Sequence, residues 1–260
     1  MAGSALKLKI VGKDYRRLFF CGDIHGHYRL LMKALKKKGF DKKRDLLICT
    51  GDLVDRGDES LKCLELLDED WFVAAMGNHD YAMWASFFSK DKYETKFFWR
   101  DFWRHPSFGS NWFFDLSKHE QKELSPKVEK VGELPLFIEV EREVDGRKYK
   151  FGVTHADIFS HDWNKIPTDT VRHYDFIQSR DKYKLVEDGV IEEVRNIENI
   201  DFLITGHTIV KELTSIGNHY YIDTGAYKKG ISIIEDKVFV EHLENPDLGL
   251  FKELEAKYDC

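Results

Sequence analysis

The stretch Leu46-Leu47-Ile48-Cys49-Thr50-Gly51-Asp52-Leu53-Val54-Asp55-Arg56-Gly57 decides the fold. Its first four residues read as a buried strand, and Gly51 stops it. Two carboxylates and a guanidinium follow at the carboxyl end, where open α/β sheets gather their ligands. The same grammar recurs on both sides. Leu18-Phe19-Phe20-Cys21 runs into Gly22-Asp23-Ile24-His25-Gly26, and the apolar run over 72–76 meets Gly77-Asn78-His79-Asp80. Thr154-His155-Ala156 and Gly206-His207-Thr208 follow later apolar runs. Each phrase begins or ends with Gly or a small residue, and the glycines allow a sharp turn, so that the next side chain reaches back over the sheet.

Between these runs the periodicity changes. Leu30, Leu31, Ala34 and Leu35 give helical spacing over 27–38, with Gly39 as the natural residue beyond the helix end. A second helix is expected over 59–67. The β-α-β-α-β rhythm implies an α/β (α+β) domain with parallel crossovers. Asp145-Gly146 predicts a hairpin turn, and a second hairpin is expected around Glu235-Asp236-Lys237, with 238–240 as its returning strand. The segment of about 82–132 is dense in aromatics and reads as helices forming a cap. Its rings either pack a core or face a substrate. Residues 1–260 are expected to form one domain, with that cap as an insertion and 241–260 as a C-terminal extension.

Composition bounds the function classes. The chain has 260 residues, 33% of them charged, and a net charge of −6. No basic tract dominates, so dedicated nucleic-acid binding is not expected, and Lys36-Lys37-Lys38 and Lys42-Lys43-Arg44 read as solvated. Cys21, Cys49, Cys63 and Cys260 form no Cys-x-x-Cys pair, which argues against structural zinc. No run of about 18 apolar residues occurs, so no membrane association and a reducing, cytoplasmic location are expected.

Asp23, His25, Asp52, Asn78, His155 and His207 make a mixed oxygen and nitrogen donor set. Such a set suits Mn, Fe or Zn better than Ca, which prefers oxygen alone. Two divalent ions about 3.5–4 Å apart need a bridge, usually a carboxylate. Two carboxylates and a bridging hydroxide leave one positive charge, which attracts a phosphate dianion.

With these phrases, the sequence resembles the metallophosphoesterase superfamily in its phosphoprotein phosphatase branch, nearest its phage and bacterial members. The resemblance spans about 17–235. It includes Trp112-Phe113-Phe114, Glu133-Leu134-Pro135-Leu136, His155-Ala156-Asp157 and Ile222-Asp223-Thr224-Gly225-Ala226. It implies a calcineurin-like β-sandwich flanked by helices, two divalent ions with Mn²⁺ foremost, and a phosphoprotein or phosphopeptide partner. By the same resemblance, Asp23 and His25 bind the first metal, Asp52 bridges, and Asn78, His155 and His207 bind the second. Hydroxide attacks phosphorus directly, His79 protonates the leaving oxygen, Asp55 polarises His79, and Arg56 and Arg180 clamp the phosphate.

One residue departs from that branch. Its third phrase ends in Glu, whereas Asp80 stands here, as in the symmetrical diadenosine-tetraphosphate hydrolases. Those hydrolases usually lack the acid matching Asp55, so a Ser/Thr phosphatase, with phosphotyrosine activity also open, is the leading expectation. A dinucleotide hydrolase or nucleotidase is the alternative, and a non-catalytic phosphoprotein-binding module is the reading outside enzymes. His27 is expected on the first turn of the helix after the first phrase, His105, His119, His161, His173 and His219 match no motif, and Tyr227 is a candidate for substrate contact.

Overall fold

The computed structural model describes residues 7–158, 160–166, 176–190, 195–228 and 230–244. His173, Cys260 and the stretch from Pro246 lie outside them. In chain order the strands are β1 (Lys7–Val11), β2 (Leu18–Cys21), β3 (Leu46–Cys49), β4 (Phe72–Ala74) and β5 (Phe137–Val144). They continue with β6 (Arg147–Thr154), β7 (Phe202–Thr205), β8 (Thr214–Ile216), β9 (His219–Tyr221) and β10 (Ile233–Glu235). They form a four-stranded sheet, β10-β2-β3-β4, and a six-stranded sheet, β1-β5-β6-β7-β9-β8. The parallel pairing of β2, β3 and β4 is the crossover pattern that the rhythm implies.

The sheets pack face to face as the expected sandwich. Leu18, Phe20, Leu46 and Ile48 meet Ile138, Val140, Phe151, Val153, Phe202 and Ile204 between them. Phe20 stacks on Phe151 at 5.3 Å, whereas Phe19 points the other way and meets Phe40 at 5.5 Å. Every residue of β2 and β3 is buried. Both faces of this sheet are covered, which is why its strands read as unbroken apolar runs rather than alternating ones.

Helix α1 (Tyr28–Lys37) ends where Gly39 predicts. Gly39 has φ +61, its N–H donates to Lys36 O at 3.0 Å, and Phe40 N–H donates to Leu35 O at 3.0 Å. These two bonds are a Schellman termination. Helix α2 (Ser60–Glu65) passes into a short 3₁₀ turn, Leu66–Asp68. The aromatic segment is helical: α3 (Asn78–Phe88), α4 (Lys96–Trp103), α5 (Asn111–Phe114), α6 (Lys118–Glu123) and α7 (Ser125–Val131). At the β5–β6 turn, Asp145 and Gly146 have φ of 50° and 80°, the backbone a two-residue hairpin turn requires.

The second expected hairpin is absent. Helix α8 (Asp181–Glu187) precedes β7, and residues 238–240 lie in a further helix, α9 (Asp236–Glu244), that follows β10 directly. β-branched side chains suggested a strand, but packing overrides that preference. Phe239 sits against Phe20, Phe151, Phe202 and Tyr220, at 5.2–6.1 Å between ring centroids. Asp236 accepts a bond from Arg142 Nε at 2.7 Å, which pins the start of the helix. Helix α9 thus plugs the end of the sandwich. Strands β1 and β8 were not legible either. β1 has only five residues that alternate in polarity, and β8 has three without an apolar run.

Glu139 in β5 is a buried acid with an external brace. Trp163 Nε1 donates to it at 2.7 Å, and Lys7 and Lys9 lie at 2.7 and 3.1 Å. Burial pushes its pKa up, but the bonds from Lys7, Trp163 and Lys9 outweigh this and hold it at about 2, below the ordinary 4.5. A depressed acid contributes stability above its unfolded pKa, and the contribution is lost as pH falls from about 4.5 to about 2. Glu139→Gln should therefore flatten the acid limb of the stability profile by on the order of 2–3 kcal/mol. Urea unfolding at a series of pH values between 2 and 5 checks this, and an unchanged slope refutes it.

Candidate active site

Strand register brings the expected residues together. Cys21 pairs with Cys49, Cys49 with Ala74, and Thr154 with Thr205, so the strands of each sheet end level. The loops beyond them are stitched across. His25 N–H donates to Asp52 O at 2.8 Å, Gly26 N–H to Leu53 O at 2.9 Å, and His207 N–H to Asp23 Oδ2 at 3.1 Å. Asp23, His25, Asp52, Asn78, His79, His155 and His207 consequently share one edge of the sandwich, none more than 6% exposed.

The backbone is held in uncommon conformations there. Among the described residues, five of the seven non-glycine positions with positive φ are His25, Asp52, Asp55, Arg56 and His207. Such backbone strain clusters at functional sites because the surrounding bonds enforce it. Gly77 is needed for close approach, since a Cβ there would collide with the Asp52 backbone N and carboxylate.

Hydrogen bonds fix the histidine tautomers. His155 Nδ1 lies 3.0 Å from Thr50 O, and His207 Nε2 lies 3.0 Å from Gln178 O, so each of these nitrogens carries the proton. The bare nitrogens then face inward. His155 Nε2 is 3.0 Å from Asn78 Oδ1 and 3.1 Å from His207 Nδ1, with Asp52 Oδ1 at 3.6 Å. Three lone pairs and a carboxylate converge with no proton between them, and a cation is what fits that donor set. His25 is arranged likewise. Its Nδ1 faces Val54 O at 3.1 Å, and its Nε2 faces Asp52 Oδ2 at 3.5 Å and Asp23 Oδ2 at 3.9 Å. Among the described residues two metal-capable groups emerge, His25-Asp52-His79 and Asp52-His155-His207, with Asp52 common to both. His79 was expected as an acid rather than a ligand. Its Nδ1 is already engaged by Asp55 at 2.7 Å, while its Nε2 lies 3.9 Å from Asp52 Oδ2.

The charges divide unequally. Burial pushes the Asp52 carboxyl up, but His155, His79, His25 and His207 outweigh it and hold it well below the usual range. Asp23 is pushed well up, first by burial and then by Asp223 and Asp52. Burial also keeps the imidazoles neutral, lowering His25, His155 and His207, the last to about 2. Neutral imidazoles are the form that ligates metals.

The two arginines reach the site. Arg56 Nη1 lies 2.7 Å from His25 Nε2, and its Nη2 lies 3.3 Å from His79 Nε2. Its guanidinium also sits 5.0 Å from the ring centroid of Tyr227, which is 41% exposed beside the site. Arg180 Nη2 donates to His207 O at 3.2 Å. His27 stands just before α1, its Nδ1 2.6 Å from His25 O, and His219 is buried against Thr205 Oγ1 at 3.1 Å.

Asp80 is buried in the scaffold. It accepts from Leu53 N–H at 2.9 Å and Gly77 N–H at 3.2 Å, and burial followed by the Asp52 charge raises it to about 7.

Several contributors escaped the sequence reading. Thr50 donates from Oγ1 to Asp23 at 3.0 Å, while its carbonyl orients His155. Asp223 presses on Asp23 and is itself raised to about 6, chiefly by burial. Both stand inside quoted phrases, which was the available signal. Trp103 and Trp112 donate from Nε1 to Asp55 Oδ2 and Oδ1, each at 2.8 Å. Nothing local predicts that contact across about 50 residues of chain.

The profile of the calcineurin-like phosphoesterase family matches residues 16–211. The chain belongs to that family. Serine/threonine-protein phosphatase 2 of Escherichia coli (strain K12) is 32% identical over 222 residues, covering 85% of this chain and 93% of that one. A symmetrical bis(5'-nucleosyl)-tetraphosphatase of Mannheimia succiniciproducens is 40% identical over 92 residues, 32% of this chain and 33% of that one. A solved serine/threonine phosphatase from Saccharomyces cerevisiae superposes with a TM-score of 0.53 at 14% identity, over 85% of this chain and 71% of that one, a likeness of fold. As in other calcineurin-like phosphoesterases, the chemistry here calls for divalent metal.

Gly77→Ala should push on Asp52 and weaken Mn²⁺ binding by about 10-fold to 100-fold while the fold is retained. Calorimetric titration together with circular dichroism measures both, and undiminished affinity would show that Asp52 tolerates the displacement.

Proposed function

We propose that this phosphoesterase is a dinuclear-metal phosphomonoesterase acting on phosphoproteins, at serine or threonine and with room for tyrosine. The observation that carries the reading is the buried Asp55–His79 pair, with His79 Nε2 3.9 Å from Asp52 Oδ2, the carboxylate common to both metal-capable groups. The name of the relative that spans most of the chain supports the substrate class.

Asp23, His25 and Asp52 would hold one ion, and Asp52, Asn78, His155 and His207 the other. The mixed donor set suits Mn, Fe or Zn, and the family resemblance puts Mn²⁺ foremost. Bound ions would supply Lewis acidity and lower the pKa of water. Arg56 and Arg180 would bind phosphate oxygens in the fork geometry suited to guanidinium. As water oxygen bonds to phosphorus, the ester P–O bond breaks and its electron pair leaves with the alkoxide oxygen. His79 Nε2 gives that oxygen a proton, the proton shed by the attacking water passes to solvent, and solvent reprotonates His79 Nε2. The products are an alcohol and inorganic phosphate.

The whole chain is read as one domain with the helical cap as an insertion. No helix among the described residues is long and apolar enough to cross a membrane. Free, buried Cys21, Cys49 and Cys63 support a reducing cytoplasm.

A dinucleotide hydrolase is the second reading, favoured by the shorter match to the tetraphosphatase. Asp80 adds little to it, because that carboxylate is committed to backbone donors.

Parallel turnover of a phosphoserine peptide and diadenosine tetraphosphate by Mn²⁺-loaded protein separates the two. The peptide should turn over at least about 10-fold faster, or about 1.4 kcal/mol in barrier. The reverse order would transfer the assignment to the dinucleotide. Chelation should abolish activity and Asp52→Asn should lower kcat at least about 100-fold. Full activity after verified metal removal would sink the mechanism.

A further inference from the structure

We infer that Trp103 and Trp112 are positioning residues, a two-indole clamp through which the cap holds Asp55 in the orientation that keeps His79 aimed as a general acid. The inference rests on the phosphomonoesterase reading and gives the aromatic cap a task in it.

Asp55 is completely buried and takes three N–H donors on two oxygens. His79 Nδ1 at 2.7 Å and Trp103 Nε1 at 2.8 Å share Oδ2, and Trp112 Nε1 at 2.8 Å takes Oδ1. With both oxygens engaged, rotation of the carboxylate about its terminal bond is blocked. His79 is thereby held from a fixed direction.

The chemistry of the donor matters. Indole N–H donates and never accepts, and it carries no charge. An arginine in the same place would fix the carboxylate equally well but would neutralise it. Two indoles satisfy a buried anion, which would otherwise be costly, and leave its charge to act on His79.

The clamp belongs to a larger brace. Ser60 Oγ accepts the Asp55 N–H at 3.0 Å, and Gly109 O, in the loop between the two tryptophans, accepts the Arg56 N–H at 3.0 Å. Gly109 adopts φ +66 and packs so closely that an added Cβ would lie 3.0 Å from Arg56 Cα. Ser110 Oγ donates to Trp103 O at 2.7 Å and ties α4 to the start of α5. Phe108 lies 4.7 Å from the His79 ring, centroid to centroid. The segment 103–112 therefore grips Asp55, Arg56 and His79 together without a ring on the substrate being required.

Leaving-group dependence tests the clamp. A seryl oxygen needs a proton to depart, whereas p-nitrophenolate leaves readily without one. Trp112→Phe keeps an aromatic ring at a half-buried position and removes the N–H donor with its pyrrole ring. Because the lost pyrrole ring affects both esters alike, the donor's loss is read from the difference: kcat for a phosphoserine peptide should fall about 10-fold, with KM within about 2-fold, and p-nitrophenyl phosphate turnover far less. In an Asp55→Asn background the same change should cost nothing further, since both act through one group. Trp103→Phe should follow the same pattern with a larger loss of stability, because Trp103 is fully buried. Equal losses on both esters, losses that add to those of Asp55→Asn, or no loss at all would overturn the clamp. A wild-type protein that hydrolyses neither ester would fail the phosphomonoesterase reading itself, and the clamp's catalytic role with it.

Discussion

Asp52 is the constraint on which the site depends. It lies between His155, His79, His25 and His207, and it also accepts the His79 N–H at 2.9 Å. That bond comes from the first turn of α3, where unpaired N–H groups favour an anion. Asp52 can stand there because β3 stops at Cys49, and because Gly77 has no side chain to displace it. One carboxylate thus joins the end of a strand, the start of a helix and both ligand groups. Asp23 and Asp223, crowded beside it, are pushed in the opposite direction.

The site is also arranged by its second layer. Backbone carbonyls of Thr50, Val54 and Gln178 decide which nitrogen of His155, His25 and His207 faces inward. Such partners orient ligands as effectively as the ligands' own packing does. They come from loops of both sheets, so the ligand geometry reports the docking of the whole sandwich. Helix α9 contributes at a distance by filling the end of that sandwich with Phe239.

The aromatic cap changes meaning in this light. Trp99, Trp103, Phe108 and Phe113 are buried, and Trp84, Phe87, Phe88, Trp112 and Phe114 pack against the same core, so core packing accounts for most of its rings. Two of its indoles nevertheless end on Asp55. A packed core and a catalytic role are therefore compatible in the same helices. The rings give rigidity, and the N–H groups carry that rigidity to a buried acid. Phe97, Phe98 and Phe102 remain outside, 70%, 46% and 37% exposed, on the outer face of α4.

The sequence alone determined the sandwich strands that carry the site and the candidate residues that meet at their ends. β2, β3 and β7 are apolar on both faces, and a strand buried on both sides announces itself by composition without reference to its neighbours. Short polar phrases after such runs are local too, which is why Asp23, His25, Asp52, Asn78, His79, His155 and His207 were legible. Arg180 came from resemblance, and the structure brings it to His207. Tertiary structure decided everything that depends on distant partners. Residues 238–240 became helix because four rings receive Phe239, β1 exists because β5 offers it an edge, and Asp80 serves the scaffold because Leu53 and Gly77 present their N–H groups to it. The grip of Trp103 and Trp112 on Asp55 belongs to the same class. A hydrogen bond between residues 48 and 57 positions apart leaves no period or spacing in the sequence, since it is made by the fold and not by the chain's local preferences.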